Sequence, residues 1–256
     1  MREEYVIDPA LIAWKKGETE GLSFSYQVLL DGANGGPEAI RFRFDPCPSV
    51  YAHMHLTSQF QLLLSGCMQM PRRSLNLLPV SIHYTDHNTP YGPFSVSPGH
   101  DMLVLHPKRG GLISMAHIAA RRQINLAGRL LVGAINENRW TTGADSHDVE
   151  VQMVMPRAEG PGADAFSLSP GSLTPVEQSA FGRYEVVLKG SVTCSGRELR
   201  TPGLRFVRGV EVAEPMVARS DGAVIVVLTF DADAEEGGLN GEGLAVAAEE
   251  AMAMAI

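Results

Sequence analysis

The feature that most constrains this chain is a succession of short apolar or alternating runs, each closed by Gly, Pro, Asp or Asn. Phe24 to Leu30 reads FSYQVLL, Ala39 to Phe44 AIRFRF, Gln59 to Leu64 QFQLLL, Val80 to Tyr84 VSIHY and Met102 to Leu105 MLVL. A strand sends successive side chains to opposite faces. In AIRFRF that puts Ile40, Phe42 and Phe44 on one face and Arg41 and Arg43 on the other. The arginine face reads as the outer, solvated one rather than as an anchor for an anionic ligand. Short strands at regular spacing with turn residues between them predict an all-β sandwich or barrel.

A second cluster of runs follows: Val149 to Met155 (VEVQMVM), Tyr184 to Leu188 (YEVVL), Leu204 to Val207 (LRFV) and Ala223 to Phe230 (AVIVVLTF). Gln59-FQLLLS-Gly66 matches Arg183-YEVVLK-Gly190 in length and pattern. A repeat of this size points to duplication of one β domain, with residues 1–130 forming the first and 131–256 the second. Pro156 to Pro175, rich in Pro, Gly and Ser, reads as a long loop inside the second domain. The Ala-rich end, LAVAAEEAMAMAI, has helix propensity and suits a docking helix or a frayed terminus.

Composition removes several function classes. With 45% hydrophobic and 20% charged residues, the chain is that of a folded soluble protein. A net charge of −8 argues against nucleic acid as a partner, because a phosphate-backbone binder needs a basic face. No apolar run approaches the ~20 residues that span a bilayer, so no membrane partner is expected. The opening MREEYVIDPALIAW is charged and lacks the apolar core of a signal peptide. Three scattered cysteines form no disulfide framework. Together these features predict a cytoplasmic location.

The segment with chemistry in it is His53-Met-His55-Leu-Thr-Ser-Gln59, followed by six residues to Gly66 and later by Pro79-Val-Ser-Ile-His83. Residues i and i+2 of a strand face the same side, so His53 and His55 can present two imidazoles to one point. A strand advances ~3.3 Å per residue, so Gln59 joins them only if the chain turns at Leu56 to Ser58. His83 would come from a third strand. These four residues are the candidate metal ligands. Gln59 is alternatively an amide that orients a water or a histidine, and His87 is its rival as fourth ligand. His87 and Tyr91 are the catalytic candidates, with Tyr84 and Asp86 behind them, Tyr84 pointing away from the pocket. Gln61 shares the strand parity of Gln59 and faces the same side.

This pattern resembles the two motifs of the cupins, G-x5-H-x-H-x3,4-E-x6-G and P-x-G-x2-H or a close variant of it. It departs from them in having Gln59 for the usual Glu, Cys47 for the leading Gly, and Val80 for the Gly of the second motif. The stretch HYTDHNTPYGP also resembles a segment of uncharacterised bacterial cupin-domain proteins. The resemblance covers Phe24 to Pro107 closely and Val149 to Phe230 more loosely. It implies a bicupin, two double-stranded β-helix (jelly-roll) barrels, with one divalent transition metal per chain: Fe, Zn, Ni, Mn or Cu. Three imidazoles and an amide would leave the ion's charge uncompensated, a stronger Lewis acid than a site containing Glu.

Placing Gly190 on Gly66 puts Arg183 at the Gln59 position, Glu177 and Ser179 at the two histidines and Val207 at His83. The second barrel therefore reads as degenerate and metal-free. The resemblance implies a metal-dependent enzyme of dioxygenase, lyase or isomerase type acting on a small organic molecule. The alternative is a non-catalytic storage or sensory cupin that holds a small ligand. A homodimer is expected because cupins pair through sheet edges.

Overall fold

The computed structural model describes residues 3–19, 21–116, 124–143, 146–156, 160–175, 179–209 and 213–235. The Ala-rich C-terminal stretch lies outside them. Strand β1 (Glu3–Ile7) comes first. Then follow β2 (Lys15–Thr19), β3 (Leu22–Asp31), β4 (Glu38–Phe44), β5 (Cys47–Val50), β6 (His53–His55), β7 (Gln59–Ser65), β8 (Met68–Met70), β9 (Leu75–Leu77), β10 (Ser81–Thr85), β11 (Phe94–Val96), β12 (Asp101–His106), β13 (Leu112–Ser114) and β14 (Leu130–Ala134). The last group is β15 (Thr141–Gly143), β16 (Ser146–Met155), β17 (Gly162–Leu168), β18 (Ser179–Cys194), β19 (Arg197–Arg200), β20 (Leu204–Gly209) and β21 (Val217–Thr229). The helical turns among the described residues are all short 3-10 turns, and no helix there is long and apolar enough to cross a membrane.

The strands divide into two units. The N-terminal one spans Ala13–Ala134. Its seven-stranded sheet has the order β14-β10-β7-β12-β4-β3-β2, and a four-stranded sheet, β5-β11-β8-β9, supplies the other wall. Phe24, Tyr26, Phe42, Leu63, Met102 and Val104 of the first meet Val50, Met68, Met70, Phe94 and Val96 of the second in one buried core. The alternation in AIRFRF is obeyed: Ile40, Phe42 and Phe44 line the interior. Arg41 and Arg43 take the outer face but are not simply solvated. Both bond Asp101 and lie over the ring of Trp14, Arg43 at 4.1 Å from its centroid.

The C-terminal unit spans Ile135–Asp231 together with the first twelve residues. Its eight-stranded sheet has the order β1-β20-β18-β21-β17-β16-β15, with β19 branching from β18. Thus β1, grouped by the sequence reading with the N-terminal domain, is hydrogen-bonded along its length to β20. The Pro-rich stretch after Pro156 is not one long loop either. Gly162–Leu168 forms β17, whose apolar residues pair with β16 and β21 inside the sheet.

The two repeat glycines are held by similar physics in different places. Gly66 follows β7 with φ +74°, and a Cβ there would lie 2.7 Å from the His100 Cα. Gly190 has φ +71° and would meet the Gly222 carbonyl oxygen, but it sits inside β18 at a break in register. Left-handed backbone alone costs a non-glycine residue ~1–2 kcal/mol. Gly66→Ala is therefore expected to destabilise the N-terminal barrel by at least ~2 kcal/mol, read from its urea midpoint. An unchanged midpoint would show that the turn after β7 is not needed to close the barrel.

Candidate functional site

The site is built where β6, β7, β10 and the segment after β10 meet. The chain leaves β6 at His55 and enters β7 at Gln59, the turn that the His53–Gln59 spacing requires. β7 and β10 pair antiparallel with Gln61 opposite His83, so their side chains lie next to each other on the interior face. Tyr91 joins the end of β6 through reciprocal backbone bonds with His53.

The centre of the cluster is the Tyr91 hydroxyl. It lies 2.6 Å from His53 Nε2, 2.7 Å from Gln61 Nε2 and 3.2 Å from His55 Nε2. The protonation pattern follows from the partners. His53 Nδ1 is 2.9 Å from the Tyr51 carbonyl, to which it donates. Its Nε2 therefore holds a lone pair and accepts the Tyr91 proton. The phenol oxygen then accepts from the Gln61 amide and from a protonated His55 Nε2. Gln61 Oε1 accepts in turn from His83 Nδ1 at 2.9 Å.

Burial governs the titration of these groups. It lowers His53 to about 4 and His83 to about 3, and it holds His55 well below the ordinary imidazole value, with His106 and His53 adding to the effect. The Tyr91 phenol is raised by burial, opposed by Gln59 and Gln61. At neutral pH the cluster is therefore a set of uncharged donors and acceptors.

His53, His55, Gln61 and Tyr91 of the cluster line a cavity of about 270 Å³ in this unit. Phe24, Phe42, Phe44 and Phe94 give it aromatic walls; His53, His55, Gln61, Tyr91, His106 and Glu38 are part of its polar lining, with Lys15, Thr19, Asp31 and Arg109 also on its wall. Of the residues singled out from sequence, His53, His55, His83, Gln61 and Tyr91 come together. Gln59 is buried beside the Tyr91 phenol, on which its amide acts, and it makes no further hydrogen bond. His87 is not in the cluster: its backbone N–H bonds Ser58 Oγ and its Nδ1 is buried without a partner. Tyr84 points away from the cavity and donates to Asp86, which also binds Arg129. His106 was given no role by its spacing. It ends β12 in phase with Met102 and Val104, the parity that delivers it to the cavity, and its ring lies 5.1 Å from that of His55.

A divalent ion would accept these donor types: neutral imidazoles, and the buried amide of Gln59. Their placement is another matter. The point on which His53 and His55 converge is the Tyr91 oxygen, and His83 is turned onto Gln61. Among the described residues no three His, Cys, Asp or Glu side chains are grouped to hold a metal. The donors fit a metal in kind and not in arrangement.

No family model matches the sequence, and no curated protein matches it. Solved structures do share its fold. A candidate dioxygenase of Nostoc punctiforme is 12% identical, with TM-score 0.64 over 93% of this chain and 86% of its own. The Escherichia coli pirin YhhW, solved with nickel(II), is 12% identical with TM-score 0.55 over 90% of this chain and all of its own. Oxalate decarboxylase of Lactobacillus farciminis, solved with formate, is 9% identical with TM-score 0.56 over 89% and 86%. At this identity the likeness is one of fold: an all-β chain of two cupin-type barrels.

Proposed function

We propose that the N-terminal barrel binds a small, mainly apolar organic molecule, with the ligand's polar group at the His53–His55–Gln61–Tyr91 cluster. One observation carries this reading: an interior cavity joins aromatic walls to a few convergent polar groups whose titration is displaced by burial. Cavities of that make-up are where proteins bind small molecules. Its volume, about 270 Å³, is just below the usual ~300–1,000 Å³, which suits a molecule of one or two rings.

A set of aromatic fragments, screened against the full chain by ligand-observed NMR and thermal unfolding, tests this. A fragment at ~100 times its Kd is expected to stabilise the barrel by ~2.7 kcal/mol. Tyr91→Phe keeps the ring and removes the central oxygen, and it is expected to weaken binding about tenfold, or ~1.4 kcal/mol. If Tyr91→Phe leaves affinity unchanged, the cluster is not the ligand's polar contact.

A metal-dependent enzyme of dioxygenase, lyase or isomerase type is the second reading. The amide of Gln59, buried beside the imidazoles and making no hydrogen bond except towards Tyr91, favours it, and His53, His55, His83 and Gln59 are the residues that would hold the ion. One divalent ion per purified chain, lost in His53→Ala, would support it. A protein that takes up none of Fe, Zn, Ni, Mn or Cu on titration would remove it.

A further inference from the structure

We propose that Glu38, with His106 beside it, is an acid–base site of the N-terminal cavity, suited to taking a proton from a small, mainly apolar substrate. The proposal rests on the reading of that cavity as a ligand site. Glu38 and His106 are direct partners in the β4–β12 register. Glu38 is in phase with Ile40 and Phe42, and His106 with Met102 and Val104, and all six line the cavity. The two-residue period of paired strands thus delivers a carboxyl and an imidazole into one apolar space.

Glu38 Oε2 accepts the Gly110 N–H at 3.0 Å and lies 4.0 Å from His106 Nε2. His106 Nδ1 lies 3.3 Å from the Ser58 carbonyl, to which it can only donate, and 3.0 Å from the Thr57 hydroxyl. Its Nε2 therefore presents a lone pair on the Glu38 side. The charged and titratable groups around Glu38 include His106 of β12, Arg109 beyond it and Asp31 at the end of β3; Lys15 of β2 lines the same cavity. Burial raises the Glu38 carboxyl to about 7, with the Gly110 N–H and Arg109 opposing and Asp31 adding. A carboxyl that exchanges its proton near neutrality beside apolar walls is matched to proton transfer.

The test uses nitrobenzisoxazole, a small neutral aromatic. The carboxylate removes the proton on the ring carbon next to nitrogen. The C–H electron pair completes the nitrile as the N–O bond breaks, and the oxygen leaves as a coloured cyanonitrophenolate carrying the negative charge. Glu38 then returns its proton to water.

The full chain is expected to turn the probe over at least ~100-fold faster than free acetate. The rate should rise with pH through a midpoint near 7, because the reactive form is the ionised one. Glu38→Gln keeps the shape and should lose at least ~100-fold while still binding the probe by NMR. Glu38→Asp, with its carboxylate drawn back, should retain part of the rate. A probe that binds but reacts no faster than with acetate would overturn the proposal, as would turnover that Glu38→Gln leaves within about twofold. Either result leaves the cavity reading standing. Failure of the probe and of every aromatic fragment to bind overturns both.

Discussion

Lowering the pH from 7 to 5 is expected to remove about 6 kcal/mol from the stability of the N-terminal barrel and bring it to the edge of acid unfolding. His53, His100 and His106 are lowered by burial from 6.5 to about 4, and His83 to about 3. Their folded values lie below the unfolded one, so the unfolded chain binds protons first as the pH falls. Stability is therefore full above 6.5 and is lost from there towards 4. Each such histidine contributes about 2 kcal/mol between pH 7 and 5, and the four together about 8. Glu38 runs the other way: its folded value, about 7, lies above the unfolded 4.5. Its proton is bound by the fold first, which returns about 2 kcal/mol over the same interval. His55, also lowered, adds to the loss. A total stability of ~5–15 kcal/mol leaves little in reserve. The chain has two tryptophans, Trp14 in the N-terminal unit and Trp140 in the C-terminal one. Urea titrations of Trp140→Phe at the two pH values therefore follow this barrel alone. A change below about 1 kcal/mol would mean that water reaches these imidazoles.

In the other barrel the largest expected effect is that of Glu185→Ala, a loss of ~3–5 kcal/mol. Glu185 is 1% exposed and lies between Arg183 and Arg205, themselves 2% and 1% exposed. Arg183 Nε donates to Oε1 at 2.8 Å and Arg205 Nε to Oε2 at 2.6 Å. Arg205 Nη1 also donates to the Glu214 carbonyl at 2.7 Å, and Glu4 of β1 lies 3.4 Å away. Removing the carboxylate leaves two interior guanidiniums without their main counter-charge, an arrangement that costs far more than the ion pair contributes. Replacing Arg183, Glu185 and Arg205 together by apolar residues of similar size should cost much less than Glu185→Ala alone. Urea unfolding followed by Trp140 fluorescence in the Trp14→Phe background separates the two outcomes. Equal losses for the single and triple replacements would show that packing rather than uncompensated charge sets the cost.

The contrast between these barrels was partly legible from sequence. Strand periodicity located β4, β7, β10, β12 and β21, because a half-buried or fully buried strand announces itself in four to eight residues. The HxH spacing and the turn before Gln59 brought His53, His55 and His83 within one neighbourhood. Three things escaped. β17 lies in a Pro- and Gly-rich stretch whose composition resembles a loop, and only its pairing with β16 and β21 makes it a strand. Glu38 and His106 are silent until β4 and β12 are paired, since neither residue carries a local motif and their meeting is a fact of register. Tyr91 was visible only as a weak candidate, because a residue between strands has no parity to say where it points. Its place at the centre follows from the backbone bonds it exchanges with His53.

The pairing of β1 with β20 also bears on the order in which the molecule can be made. Glu3 opposes Arg208 and Ile7 opposes Leu204, so partners that touch leave the ribosome about 200 residues apart. At ~5–20 residues per second the first strand waits some ten to forty seconds for its neighbour. All strands of the N-terminal barrel emerge within that interval. It can close while the first strand still hangs as an unpaired edge, a segment open in that window to a chaperone or to the same strand of another nascent chain.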